Sequence, residues 1–191
     1  MVIFIALGCL AFICFAIFDL NKIKFMYEKI NLLVVLGSID LSFCTIAIII
    51  SDSSTKISTP LQWLELLLAM IALILLIYTI FGAVQFKETY IETGKRNTVV
   101  STGVYAFCRH PGVFCFFFFY LFLGLAFNNN VLLTAAFLWT SLDVIYVYIQ
   151  DRWIFPIILK DYQTYQEQVP FLIPNKTSLR HGMSSMLGKG D

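Results

Sequence analysis

Pro111 to Leu142 is a stretch of 32 residues without a single charge. As one helix it would rise about 48 Å, well past the ~30 Å hydrocarbon core of a bilayer. The stretch must therefore turn. Its one polar cluster is Asn128-Asn129-Asn130, and asparagine forms turns because it tolerates left-handed backbone. The spacing predicts a hairpin of two membrane helices, Gly112 to Phe127 and Val131 to Gln150.

Three more apolar runs precede the hairpin. Met1 to Phe18 is uncharged, Ile30 to Ser51 holds only Asp40, and Thr59 to Phe86 holds only Glu65. A spanning helix needs about 20 mostly apolar residues, so each run is long enough or nearly so. Met1 to Phe18 lacks the basic n-region and cleavage site of a secretory signal and is read as a retained helix. The composition agrees, with 59% hydrophobic and 13% charged residues against about 25% charged in soluble domains. The expected fold is all-α, a polytopic membrane bundle of five transmembrane helices with a C-terminal hairpin. Residues 1–96 form the first three spans, 97–174 a second module containing the hairpin, and 175–191 a flexible cytoplasmic tail.

The basic residues support that count. Asp19 to Lys29, Lys87 to Arg109 and Arg152 onward hold 12 of the 13 Lys and Arg, whereas the Ser51 to Thr59 loop holds Lys56 alone. The positive-inside rule then places the N-terminus outside and the C-terminus in the cytoplasm. The short loops favour a prokaryotic plasma membrane over the endoplasmic reticulum. A net charge of +1 argues against nucleic acid as a partner, because phosphate neutralisation needs a basic surface. The lipid bilayer is the expected partner, and the chain is expected to be a monomer.

Five cysteines, Cys9, Cys14, Cys44, Cys108 and Cys115, form no metal-ligand spacing and read as small apolar residues. No metal is expected. Asp40, Glu65 and Asp143 lie in or near apolar helices, where an unpaired charge costs roughly 2.5–3.5 kcal/mol on insertion scales. Each is either part of a polar pocket or an interhelical hydrogen-bond donor. The phenylalanines at 114 and 116–119 are assigned to lipid contact and helix packing rather than to a substrate tunnel. The tail after Pro174 has no apolar period and is expected to be disordered, with weak affinity for anionic head groups.

A hairpin returns to the face it left, so Arg109-His110 at its start comes close to Gln150-Asp151 at its end. The spacing supports two readings of this meeting. One is an interfacial pocket of cation, imidazole, carboxylate and amide, suited to a zwitterionic nucleoside-like cofactor and an apolar substrate. The other is a basic helix end anchored among head groups.

The motif order resembles a known family. Thr102-Gly103-Val104-Tyr105, then Arg109-His110-Pro111, a hairpin, Gln150-Asp151-x-x-Ile154, and Tyr162-x-x-Tyr165-x-x-x-Val169-Pro170 are similar to the isoprenylcysteine carboxyl methyltransferases and the related phospholipid N-methyltransferases. The resemblance covers Asn97 to Pro174. It implies an S-adenosylmethionine-dependent membrane methyltransferase acting on a lipophilic or prenylated substrate at the cytoplasmic face. It further implies a cofactor site of Asn97, Thr98, Val99, Val100, Tyr105, His110, Pro111, Gly112, Val113, Gln150 and Asp151. Arg109 and His110 would be the catalytic pair, Tyr146 would contact substrate one helical turn before Gln150, and Tyr162 and Tyr165 would close the pocket. Two other readings stay open. An NADPH-dependent membrane reductase shares the Arg-His-Pro element, and a non-catalytic lipid-binding protein could keep the same scaffold.

Overall fold

The computed structural model describes residues 1–52, 56–82 and 97–186. Its long helices are α1 (Val2–Lys24), α2 (Leu32–Ser51), α3 (Pro60–Ile77), α4 (Pro111–Ala126) and α5 (Asn130–Ile149). A π turn, Tyr78–Gly82, extends α3, and a second, Gln150–Ile154, extends α5 into a last turn at Phe155–Ile158. Two short helices follow, α6 (Tyr162–Gln168) and α7 (Lys176–Met186). The chain is a helical membrane bundle: among the described residues four helical segments, Val2–Lys24, Glu28–Ser51, Pro60–Phe81 and Asn130–Ile158, are long and apolar enough to cross a bilayer. Helix α4 is apolar but has only 16 residues, a rise of about 24 Å. The end of the third expected run, 83–86, and the basic residues Lys87, Lys95 and Arg96 lie outside the described residues.

Local chemistry sets the helix ends. Thr59 and Gln62 make a reciprocal capping box ahead of Pro60, which occupies the first turn of α3, a position where its missing N–H costs nothing. The expected hairpin turn forms at the asparagines. Asn128 is left-handed at φ 48°, and the Asn129 side chain accepts from the N–H groups of Val131 and Leu132, both at 3.0 Å. Pro156 accounts for the wide turn at the end of α5. It has no N–H to give the carbonyl of Arg152, and its ring crowds that carbonyl, so the helix loosens to π geometry over Gln150–Ile154.

The bundle runs α2, α1, α5, α4, α3 in neighbour order. Lipid tails are as apolar as leucine, so close packing and buried polar contacts hold such helices together. Trp139 is fully buried, donates through Nε1 to the Ile5 carbonyl at 3.0 Å, and lies over Gly8, where any Cβ would run into its ring. Tyr120 meets Trp139 edge-to-face at 5.0 Å and reaches Thr45 Oγ1 at 3.1 Å. The phenylalanines of α4 divide as their spacing demands. Phe116 is buried against Phe12 and Tyr120, while Phe114 and Phe118 are exposed. All five cysteines are free thiols, and Cys44 sits 3.7 Å from Asp40 Oδ1.

Outside the bundle, β1 (Asn97–Thr98) pairs in parallel with β2 (Leu159–Lys160), Asn97 opposite Leu159. This strand pair ties the segment before α4 to the segment after α5. The stretch expected as a disordered tail is instead helical from Lys176 to Met186. Ser178 and Gly182 give it a small face that packs against the 3-10 turn Gly103–Ala106 and Phe107. Small residues carry little hydropathy signal, which hides this face from a search for an apolar period.

Candidate functional site

Arg109 and His110 stand at the entrance to α4 because of Pro111. A residue before proline is excluded from helical backbone, and His110 is accordingly non-helical at φ −128°, ψ 63°. The preceding Arg109 turns back toward the end of α5. Its Nε donates to Asp151 Oδ1 at 2.8 Å and its Nη2 to Asp151 Oδ2 at 3.1 Å, the two-pronged geometry that a guanidinium makes with a carboxylate. Nη1 donates to the carbonyls of Gln166 and Val169 at 2.8 and 2.6 Å. One guanidinium thus joins α4, α5 and α6.

Asp151 is the centre of the cluster. Besides Arg109, its Oδ1 accepts from Tyr162 Oη at 2.7 Å and lies 3.3 Å from His110 Nε2, and its Oδ2 accepts from Gln166 Nε2 at 3.0 Å. The arginine and aspartate side chains are only 10% and 3% exposed, so the pair is buried and is not a head-group anchor. His110 is sandwiched between Phe155, stacked at 6.0 Å, and Phe171, edge-on at 5.0 Å. Burial lowers its pKa, against the opposing pull of Asp151, and its Nε2 faces the carboxylate. Burial together with the acceptor Asp151 raises the Tyr162 phenol, which stays a donor. Burial likewise pushes the Cys108 thiol up to about 11.

A cleft of about 320 Å³ opens beside this pair, lined by Arg109, Tyr148, Asp151, Arg152, Gln166 and Phe171. It combines two cations, a carboxylate, an amide and two aromatic faces.

Only part of the expected site residues meet there. Arg109, His110 and Asp151 come together across the hairpin. Gln150 does not join them, because adjacent helical residues leave the axis about 100° apart. Its Nε2 donates to Asp19 Oδ2 and Tyr146 Oη, both at 2.8 Å. Tyr146 Oη donates to the same Asp19 oxygen at 2.6 Å, forming a second buried cluster. Tyr105 faces α3 and donates to the Thr79 carbonyl at 2.8 Å, while its own carbonyl accepts from Tyr165 Oη at 2.7 Å. Val99 packs against Tyr162, Tyr165 and Val169, and Val100 is half-buried beside it. Asn97 and Thr98 hold their place through β1. Beyond Pro111, Gly112 lies against Thr79 and Leu76, and Val113 is buried.

Three residues of these clusters escape a reading by motif. Asp19 falls one residue past the first expected span, yet α1 continues to Lys24 and the carboxylate is 1% exposed. Gln166 and Tyr148 carry no motif, although Gln166 lies one turn after Tyr162 on the face that Tyr162 turns to Asp151. Among the described residues, no group of His, Cys, Asp and Glu has the arrangement of a metal site.

No curated protein and no solved structure matches the chain. The model of the family described as a protein of unknown function, DUF1295, matches residues 19–168, a span that opens on the buried Asp19 and includes Arg109, Asp151 and Gln166, and the chain belongs to that family.

Proposed function

We propose that this chain is an integral membrane methyltransferase that takes a methyl group from S-adenosylmethionine and delivers it to a lipophilic acceptor at the face where Arg109 meets Asp151. The observation that carries the reading is that meeting, two hydrogen bonds of 2.8 and 3.1 Å between the ends of a helical hairpin, beside a 320 Å³ cleft. The volume falls at the lower end of small-molecule sites, about 300–1,000 Å³. The order of the motifs from Thr102 to Pro170 supports the same reading, and the basic residues favour the cytoplasm for this face.

The residues around the cleft suit the cofactor in kind. Arg152 is a cation available to a carboxylate. The Asp151 charge is balanced by Arg109, and it is the aromatic faces of Tyr148 and Phe171 that offer a sulfonium cation–π attraction. When bound, the cofactor supplies the electrophilic methyl itself. The chain's share is alignment and exclusion of water. Arg109 fixes Asp151 and the end of α6 as one wall, and Phe171 covers His110.

The test is calorimetric titration of detergent-purified protein with S-adenosylhomocysteine. Saturable one-to-one binding is expected, weakened about tenfold or more by Arg152→Ala through loss of an ionic hydrogen bond worth about 1.5–3 kcal/mol. No binding up to millimolar ligand overturns the proposal. Thermal protection by NADPH alone would transfer the site to hydride chemistry.

A second reading has its own observation. Among the described residues the Arg109 guanidinium makes four hydrogen bonds, to Asp151, Gln166 and Val169, which is what a non-catalytic scaffold would retain. Silence toward both ligands would favour it.

A further inference from the structure

Helix α7 presents different chemistry on each side. Ser178, Gly182 and Ser185 recur at i, i+4 and i+7 and turn toward the protein. Ser178 is buried, a Cβ on Gly182 would collide with the Phe107 ring, and Ser185 Oγ accepts from the Gly103 N–H at 3.0 Å. Leu179, Met183 and Met186 repeat the same spacing one position on, rotated by about 100°, and are 42%, 55% and 57% exposed. Lys176 and Arg180 border this apolar stripe on the side away from the protein, and Thr177 and His181 complete an exposed polar face.

An apolar stripe flanked by lysine and arginine is the pattern of a helix lying in a membrane interface. The position of α7 fits that pattern. It is clamped to Gly103–Ala106, and only four residues separate Ala106 from Pro111, where α4 begins, so at most about 18 Å of chain lies between them. Trp153 and Ile157 at the end of α5 and Ile173, three residues before α7, are exposed apolar side chains too. Methionine side chains adapt to an irregular acyl boundary, and the two cations are placed for phosphate head groups.

We infer that α7 is an interfacial helix that binds the anionic phospholipid surface on the cleft side of the bilayer, with Leu179, Met183 and Met186 in the acyl boundary and Lys176 and Arg180 on the head groups. The bound helix clamps Gly103, whose φ of +61° lies in the left-handed region that favours glycine, and so holds the segment that leads to Arg109 and His110. This inference is independent of methyl transfer.

The test uses the full chain in lipid nanodiscs with a nitroxide at Met183→Cys or, separately, at Ser184→Cys, each corrected for the labelled parent. At position 183 accessibility to oxygen should exceed accessibility to a water-soluble nickel chelate several-fold, with the reverse at 184. Replacing phosphatidylcholine in part by phosphatidylglycerol should deepen the label at 183, and Lys176→Glu with Arg180→Glu should abolish that lipid dependence. Equal exposure of both positions to the nickel chelate in anionic discs overturns the inference. Exclusion of both reagents at 183 also overturns it, because a protein and not a lipid would then cover the stripe.

Discussion

Arg109 and Asp151 lie 42 positions apart in the chain and share two near-parallel hydrogen bonds of 2.8 and 3.1 Å, so the two ends of the α4–α5 hairpin close on each other through a buried ion pair. A buried pair is weak evidence for stability as a whole, since desolvation offsets much of its attraction, but removing one partner strands the other.

Arg109→Ala should therefore cost about 3–5 kcal/mol, because Asp151 stays buried without its counter-charge and the Gln166 and Val169 carbonyls lose a donor. Arg109→Lys should recover part of this and not all, since an ammonium cannot make the two-pronged contact. Denaturant or thermal unfolding in detergent measures both. Equal stability of Arg109→Ala and the parent would remove the pair from its place at the centre of this face.

His110 makes stability depend on pH. Its folded-state pKa lies below the ordinary value of about 6.5, so between those two pKa values the unfolded chain binds the proton and the folded chain does not. Stability should then fall as pH drops below about 6.5 and level off once the folded form titrates too. Unfolding midpoints from pH 8 to pH 5 should show the slope in the parent and a smaller one in His110→Gln. An unchanged slope in the variant would assign the effect to other groups.

Asp19 is the acceptor for two donors, the half-buried Tyr146 Oη and the buried Gln150 Nε2. Asp19→Ala removes the acceptor that both share and should destabilise the fold by about 1–3 kcal/mol, the cost of stranding a buried donor. Tyr146→Phe in the Asp19→Ala background should cost less than it does alone, because the two residues act as a unit. Strictly additive effects in that double-mutant cycle would refute the coupling.

Gly8→Ala tests the packing of α1 on α5. The added methyl meets the Trp139 ring, which cannot swing away without giving up its hydrogen bond to Ile5. Overpacking of this kind costs about 1–3 kcal/mol. Pairing it with Trp139→Phe should restore part of the loss, and a thermal melt of the single and double variants decides.

The helical bundle and its hairpin turn could be read from the chain, and they rest, like the capped start of α3, on residues close together in sequence. Asn129 bonds Val131 and Leu132, Thr59 bonds Gln62, and Pro111 excludes His110 from the helix that follows. The meeting of Arg109 with Asp151 was legible at one remove, as a consequence of the turn. Asp19 was not, since an acid one residue past an apolar run looks like the start of a loop until Tyr146 and Gln150 supply its partners. Helix α7 was hidden for a related reason: its buried face is serine and glycine, and only Phe107 and Gly103 show what that face is for.

What sequence alone determined is where helices can form and that lipid must surround them, since propensity, capping and run length act over a few residues. Tertiary structure decided which polar groups share a site. Gln150 and Asp151 are neighbours in the chain, yet helix geometry and the loosened turn before Pro156 send one to Asp19 and the other to Arg109. Removing a polar group from water is costly unless a partner awaits it, and those partners come from distant segments that only the folded chain brings within hydrogen-bonding distance.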